Sequence, residues 1–317
     1  MSVIIDLLTN PNFWFGVIRS TTPIVLTALA ALLAARAGII NMSLEGTMLF
    51  SALFAVIASA LTQSALIGVL VAIINGVLLS LFLAYFKLKM KADETLVGIA
   101  LNLLATGATI FILYLFTGDK GTSSSLQSKT LAPLEIPLLK DIPFVGDIIS
   151  GHSIIVYIAI ISVILVHYML FKTPLGLRTR SVGGNRSAAE SVGISVHRTQ
   201  YIAMAISGIF VGLAGAYMSM SYMSMFTKNM TAGRGYIALA ASNVGGRAPI
   251  GAMLASLVFG FFESVGNNLQ QFAFPPEFIY MIPYVATIIM YAVSSYLRVT
   301  QKKRRKASLA KLEAKEG

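Results

Sequence analysis

The chain has 317 residues, 56% of them hydrophobic and only 12% charged, against roughly 25% charged in soluble domains, so its apolar surface exceeds what one globular core can hide. The net charge of +11 is concentrated in two places, 172–198 with five bases against one acid and the stretch from Arg298 onward with eight against two; this is the pattern of cytoplasmic segments in membrane proteins, not of a nucleic-acid-binding face. With no cysteine, disulfides and thiolate metal sites are excluded.

In chain order, the first residues lack a basic start and an apolar core, so no cleavable signal is expected. Residues 13–35 reach spanning length, about 20 residues. Residues 38–45 follow, with Asn41 and Glu45 at helical i, i+4 spacing. The uncharged run 46–86 is too long for one span and predicts two, turning near 62–64. Lys87, Lys89 and Lys91 mark a cytoplasmic turn, and 95–118 is the next span. Residues 119–151, with Ser123–Ser125, Pro133, Pro137 and Pro143, read as an external loop. Residues 148–171 form a further span, with His152 and His167 near its ends. The basic segment 172–198 and a span over 199–227 come next. The pattern then breaks. Residues 235–246 are too short to cross alone, 245–249 interrupt them, and 248–262 form a second short piece. A last span, 278–297, is stopped by the bases of 301–306.

Placing the three basic segments in the cytoplasm puts the N-terminus outside and makes the number of crossings odd. It is seven if the pair within 235–262 re-enters and nine if both pieces cross. The expected fold is an all-α polytopic membrane protein of seven to nine transmembrane helices with broken or re-entrant segments. One membrane domain covers 1–300, with an extracytoplasmic loop at 119–151, a cytoplasmic loop at 172–198 and a basic tail at 301–317. Residues 46–54 echo 251–259 at Gly, Met, Leu, Ser and Phe, as in transporters built from repeats.

Within 172–198, Ser187 and Glu190 have capping-box spacing, and Gly193 sits where a helix of little more than one turn would stop. A short capped helix on a basic loop suits docking to a cytoplasmic partner. Asn41, Glu45, Asn75, Asn102, Asn243, Arg247 and Glu263 lie in or against predicted spans, where polar groups face a cavity, a partner or a pathway. Glu45 has several readings: it interacts with a helix macrodipole, pairs with Arg36 or Arg247, or takes part directly in a pathway. The asparagines fit interhelical hydrogen bonding. Gly208 and Gly212, with Gly215, read as close packing inside one subunit in preference to a dimer face. The Met and aromatic run 217–226 reads as core, with stacking on a nucleobase as the alternative. The three histidines read as interfacial polar residues. No reactive constellation and no P-loop occurs, so ATP would have to be bound by another polypeptide.

Three blocks carry a family resemblance: GIINMSLEGTMLFSA at 38–52, PLGLRTRSVGGNRSAAESVGI at 174–194 and NVGGRAPIGAMLASLVFG at 243–260. Together they resemble the permeases of ABC importers of the branched-chain amino acid, simple sugar and nucleoside group, most of all the nucleoside-uptake permeases. The resemblance implies a membrane subunit, not an enzyme, without cofactor or metal, in a bacterial plasma membrane. It implies a coupling helix seated in a cytoplasmic ATPase subunit through Arg186, Ser187, Ala188, Ala189, Glu190 and Gly193. It further implies a second permease subunit (a copy or a paralogue), an extracytoplasmic solute-binding lipoprotein, and a translocation path or brace near Asn41, Glu45, Asn75, Asn102, Asn243 and Arg247. Simple sugars are the alternative solute. The broken segments with Glu45 and Glu263 leave a stand-alone ion-driven secondary transporter open.

Overall fold

A bilayer core offers no water to unpaired backbone groups, so a chain this apolar must satisfy them within helices. The computed structural model describes residues 9–135 and 145–269 and isolated positions between 285 and 300. Its helices are α1 (Pro11–Arg36), α2 (Leu44–Thr62), α3 (Ala65–Leu88), α4 (Glu94–Thr117), α5 (Val145–Ile149), α6 (Ile154–Lys172), α7 (Pro174–Gly184), α8 (Arg186–Ser191), α9 (Val196–Tyr217, continued by a π-helical turn, Met218–Tyr222), α10 (Arg234–Val244) and α11 (Pro249–Leu269). Seven of them, α1, α2, α3, α4, α6, α9 with its π turn, and α11, are long and apolar enough to cross a membrane. A two-stranded antiparallel hairpin, β1 (Pro133–Leu134) with β2 (His152–Ser153), completes the described structure.

α1, α2 and α9 form the centre, while α3, α4, α6 and α11 keep apolar faces exposed. Leu26, Leu29 and Leu32 of α1 and Leu44 and Met48 of α2 are wholly buried. Pro23 lies inside α1 and has no N–H for the carbonyl of Arg19; the Tyr217 hydroxyl donates to that carbonyl instead, at 3.0 Å. α3 and α9 meet backbone to backbone, for a Cβ added at Gly76 would strike Gly208 and Gly212. The expected small-residue contact is therefore internal packing.

One end of the bundle carries α7 and α8. There Gly183 lies against Arg36 and Gly38, Gln200 Nε2 donates to Ala37 O at 3.0 Å, and Lys87 pairs with Glu94. The other end carries residues 119–134, where Ser59 Oγ donates to Lys129 O at 2.7 Å and Ser123 N to Phe226 O at 2.9 Å. Segments 87–91 and 172–198 thus share an end, opposite 119–134.

Several expectations are corrected. The span predicted from residue 148 begins at Ile154, because 148–153 form the end of α5, a turn and β2. The second short piece, 248–262, belongs to a 21-residue helix, α11, that reaches Leu269. The loop 172–198 holds two helices, since Thr173 caps α7 through Gly176 N at 3.3 Å. Ahead of α10, Lys228 N donates to Gly121 O at 2.8 Å; beyond it, the carbonyl of Arg247 accepts from Arg36 Nε at 2.8 Å. The chain therefore runs from one end of the bundle to the other through the turns of 228–233 and the half-length helix α10, and of the broken pair α11 alone is long enough to cross by itself. Apart from isolated positions, the last span, 278–297, lies outside the described residues, as does all of the tail, 301–317. Gly46 and Gly251, which open the internal echo, are each the third residue of a spanning helix, α2 and α11.

Candidate functional sites

The half-length helix α10 begins inside the bundle, where its free N–H groups and positive dipole end need an anionic partner. Glu45, in the first turn of α2, supplies it. Its two carboxylate oxygens accept from Gly233 N and Gly235 N, each at 2.7 Å. The approach leaves no space at residue 235, where an added Cβ would stand 2.6 Å from Glu45 N. Glu45 therefore caps a helix remote in sequence and pairs with neither Arg36 nor Arg247.

Asn102 knits the same place together. Its Oδ1 accepts from Gly46 N at 2.8 Å, while its Nδ2 donates to Met42 O and to Tyr236 Oη, both at 2.9 Å. It lies eight residues beyond the start of α4, about 12 Å along the axis at 1.5 Å per residue. Asn41 is not helical, because α2 starts at Leu44. The i, i+4 reading fails, and Asn41 Oδ1 instead accepts from Ser43 N at 3.1 Å and Ser43 Oγ at 2.8 Å. Asn75 is elsewhere, accepting from Ser51 Oγ at 3.5 Å between α2 and α3. Asn243 and Arg247 lie at the far end of α10, joined by Arg247 Nε to Asn243 Oδ1 at 3.4 Å.

Glu263 of α11 pairs with Arg234 at the start of α10. Arg234 also lies 5.3 Å from the centre of the Tyr222 ring, and Arg19 of α1 lies 5.0 Å from it. Tyr217, Met218, Met220 and Phe226 are buried core, and Tyr222 is engaged by two guanidiniums. Arg19, Arg234 and Tyr236 were missed because Arg234 reads as part of a polar turn and the other two as span residues, while Tyr222 stood out only as a member of the run 217–226. The available signal was Arg234 directly before Gly235 and the first apolar residues of α10.

At the opposite end, α8 is capped by Asn185, whose Oδ1 accepts from Ala188 N at 3.1 Å. Asn185 is extended, with φ −152° and ψ 107°, as an N-cap must be. Ser187 is already helical and its hydroxyl donates to Asn185 Oδ1 at 3.2 Å. Glu190 pairs with Arg186 at 3.3 Å. The expected Ser187–Glu190 capping box is thus replaced by an Asn185 cap, with Glu190 drawn to Arg186 one turn back. Gly193 does end the helix, at φ +82°, with its N–H on Glu190 O at 3.0 Å. Ala189 is buried against Val182 and Val196, so it anchors α8 while Arg186, Ser187, Ala188, Glu190 and Val192 stay exposed. Of the histidines, His152 is buried, stacked on Phe15 at 3.9 Å and bonded through Nε2 to Ile148 O at 3.0 Å; His167 packs on Phe171 and His197 meets Arg186.

Residues 13–292 match the family model described as the branched-chain amino acid transport system permease component. The chain belongs to this permease family. Among its relatives, a guanosine ABC transporter permease protein of Bacillus subtilis is 38% identical, covering 84% of this chain and 86% of that one. A nucleoside ABC transporter permease protein of Lactococcus lactis is 35% identical, covering 86% and 89%. A solved metal-chelate type ABC transporter in an inward-facing conformation shares the fold, with a TM-score of 0.50 at 12% identity over 90% of this chain and 84% of that one. The permease is a multi-pass plasma-membrane protein and a transport subunit of the ABC class.

Proposed function

We propose that this permease imports nucleosides, delivered by an extracytoplasmic lipoprotein and driven by a separate ATPase that docks on α8. Two relatives named for guanosine and nucleoside transport, each matched over more than four fifths of its length, support the solute. The single observation that supports docking is the build of α8: capped by Asn185, stopped at Gly193 and pinned by buried Ala189, it offers a rigid exposed face. Movement there has a direct route inward. α7 touches Arg36 and Gly38 through Gly183, Arg36 holds the carbonyl of Arg247, and the chain runs from Arg247 back along α10 to the cap formed by Glu45. Glu45 and Asn102 act in this scheme as the brace of the broken span, Asn41 orders the turn ahead of α2 through Ser43, and a second permease subunit completes the path.

The test is uptake of labelled guanosine by cells lacking their own nucleoside transporters and expressing the permease with its ATPase and lipoprotein. Accumulation should need a hydrolysis-competent ATPase and should be competed by unlabelled nucleosides, not by glucose or ribose. Accumulation without the ATPase would sustain the ion-driven alternative instead, and competition by sugars alone would move the solute to that class.

A further inference from the structure

The end of the bundle that carries α7 and α8 also gathers three guanidiniums from three separate segments. Arg36 is the last residue of α1, Arg180 belongs to α7, and Arg247 lies in the turn between α10 and α11. Arg180 shares a helix face with Gly183, three residues on, and Gly183 packs so tightly on Arg36 O that it has no room for a Cβ. Arg36 Nε donates to Arg247 O at 2.8 Å. Arg180 and Arg247 are accordingly near enough for both charges to oppose that of Arg36. Arg36 and Arg180 are partly buried, and Arg247 is exposed. Among the described residues no acid pairs with any of the three. Asp93, Glu94 and Glu190 are the acids of this end, and each is engaged elsewhere: Asp93 caps α4, Glu94 pairs with Lys87, and Glu190 pairs with Arg186. Glu45 is taken up by the backbone of α10. Like charges held together destabilise a fold unless a counter-charge is supplied, and partial burial makes this worse. The excess of bases on cytoplasmic segments accounts for scattered exposed charges, not for three drawn to one point and left without a counter-ion.

We infer that Arg36, Arg180 and Arg247 form an anion site at this end of the bundle, one that takes the phosphate group of a small soluble molecule. Guanidiniums match phosphate oxygens in bidentate pairs, and a tetrahedral phosphate has oxygens enough to face three of them. Arg180 rests on the Phe171 ring at 5.0 Å, and its Nε is buried without a hydrogen-bond partner, so it is the terminal nitrogens that meet the anion. Arg36 likewise spends its Nε on Arg247 O and keeps its terminal nitrogens for the ligand. Arg247 is held in the left-handed region, at φ +55°, a conformation uncommon outside glycine. The position favours a soluble source over a lipid headgroup, because α1 is a central helix while α3, α4, α6 and α11 keep the exposed apolar faces. Bound there, the anion ties α7 to the turn that follows α10.

The test follows thermal melting of the full-length permease purified in detergent, with inorganic phosphate titrated against chloride at constant ionic strength. Phosphate should raise the melting temperature of the native chain along a saturating curve, as a ligand of the folded state does. Arg180→Gln and Arg247→Gln leave the bond from Arg36 to the carbonyl of residue 247 in place. Both should melt close to the native chain in chloride and bind phosphate about tenfold more weakly or worse, the loss expected from one hydrogen bond to a charged group. In a second arm the permease is reconstituted in phosphatidylcholine vesicles with or without phosphatidylglycerol. Stabilisation of the native chain alone by phosphatidylglycerol, with none by inorganic phosphate, would uphold a phosphate site and overturn its soluble source. An equal phosphate response in the native chain and both variants would sink the site, as would no response of the native chain in either arm. Stabilisation by the ATPase subunit alone, abolished in both variants, would hand the three arginines to a partner carboxylate and likewise overturn the proposal.

Discussion

The carboxylate of Glu45 does what water does for an exposed helix end. Two backbone N–H groups depend on it, and leaving buried donors unpaired costs about 1–3 kcal/mol each. Glu45→Gln offers one acceptor oxygen where two are used and turns an amide N–H₂ toward the other donor. It should lower the melting temperature of detergent-purified permease; an unchanged melting curve would remove the capping role. Glu263 and Arg234 are paired with little exposure, 11% and 12% of their side chains. Breaking a buried pair from one side costs about 3–5 kcal/mol, whereas replacing both partners by apolar residues is often tolerated. Glu263→Gln should therefore yield poorly folded protein, and Arg234→Met with Glu263→Met should recover it; equal yields from the two would argue against an obligatory pair. His152 gives a pH signature. Its pKa is depressed in the fold by burial, so its contribution to stability is full above the ordinary histidine value of about 6.5 and is lost as pH falls below it, when the unfolded chain takes up the proton more readily. Thermal stability should fall from pH 7.5 to 5.5 in the native chain and fall less in His152→Asn.

At the scale of the element, α8 has six residues, far below the roughly 12 needed for an isolated helix to persist. Its Asn185 cap and Ala189 anchor thus decide whether it exists. Asn185→Ala removes a cap of about 0.5–2 kcal/mol and should abolish solute-stimulated ATPase activity at normal expression, while Ser187→Ala, which leaves the Asn185 bond to Ala188 N in place, should be milder. Ala188→Arg, on the exposed face, should block assembly with the ATPase, read by copurification; Ala189→Arg should instead unseat α8. Much of this element was legible in the sequence, since a basic segment between two spans, a capping-type residue and Gly193 mark a short helix at a membrane surface. The choice between Asn185 and Ser187 was not, because both offer a side-chain acceptor and only the extended backbone of Asn185 decides. α7 was hidden for a related reason: PLGLRTRSVGG has glycines and no apolar stripe, and its helix is fixed by the Thr173 cap and by packing on the end of α1. Asn102 and Glu45 were visible as polar residues in apolar surroundings, but their partners lie 56 to 190 positions away and no local pattern names them.

For the whole molecule, the partition of the loops between the two ends gives a direct test of orientation. In intact cells a Cys at Ser124 should react with an impermeant maleimide, and a Cys at Ser187 should react only after permeabilisation; the reverse pattern would invert the molecule. The spans themselves were the most readable feature, because charge-free runs report the bilayer solvent directly. The length of α11 was not, since Glu263 appeared to end an apolar piece that in fact continues with that carboxylate neutralised by Arg234. The glycine seam between α3 and α9 carries one more consequence. Gly76, Gly208 and Gly212 bring the two backbones into direct contact, so the two helices behave as a single plank: neither can rotate about its axis without driving a neighbouring side chain into the other's backbone. Mechanical compliance has to be sought away from that plank, and the turns of 228–233 ahead of α10, held by hydrogen bonds such as Lys228 N to Gly121 O and Gly233 N to Glu45, are where the molecule can give.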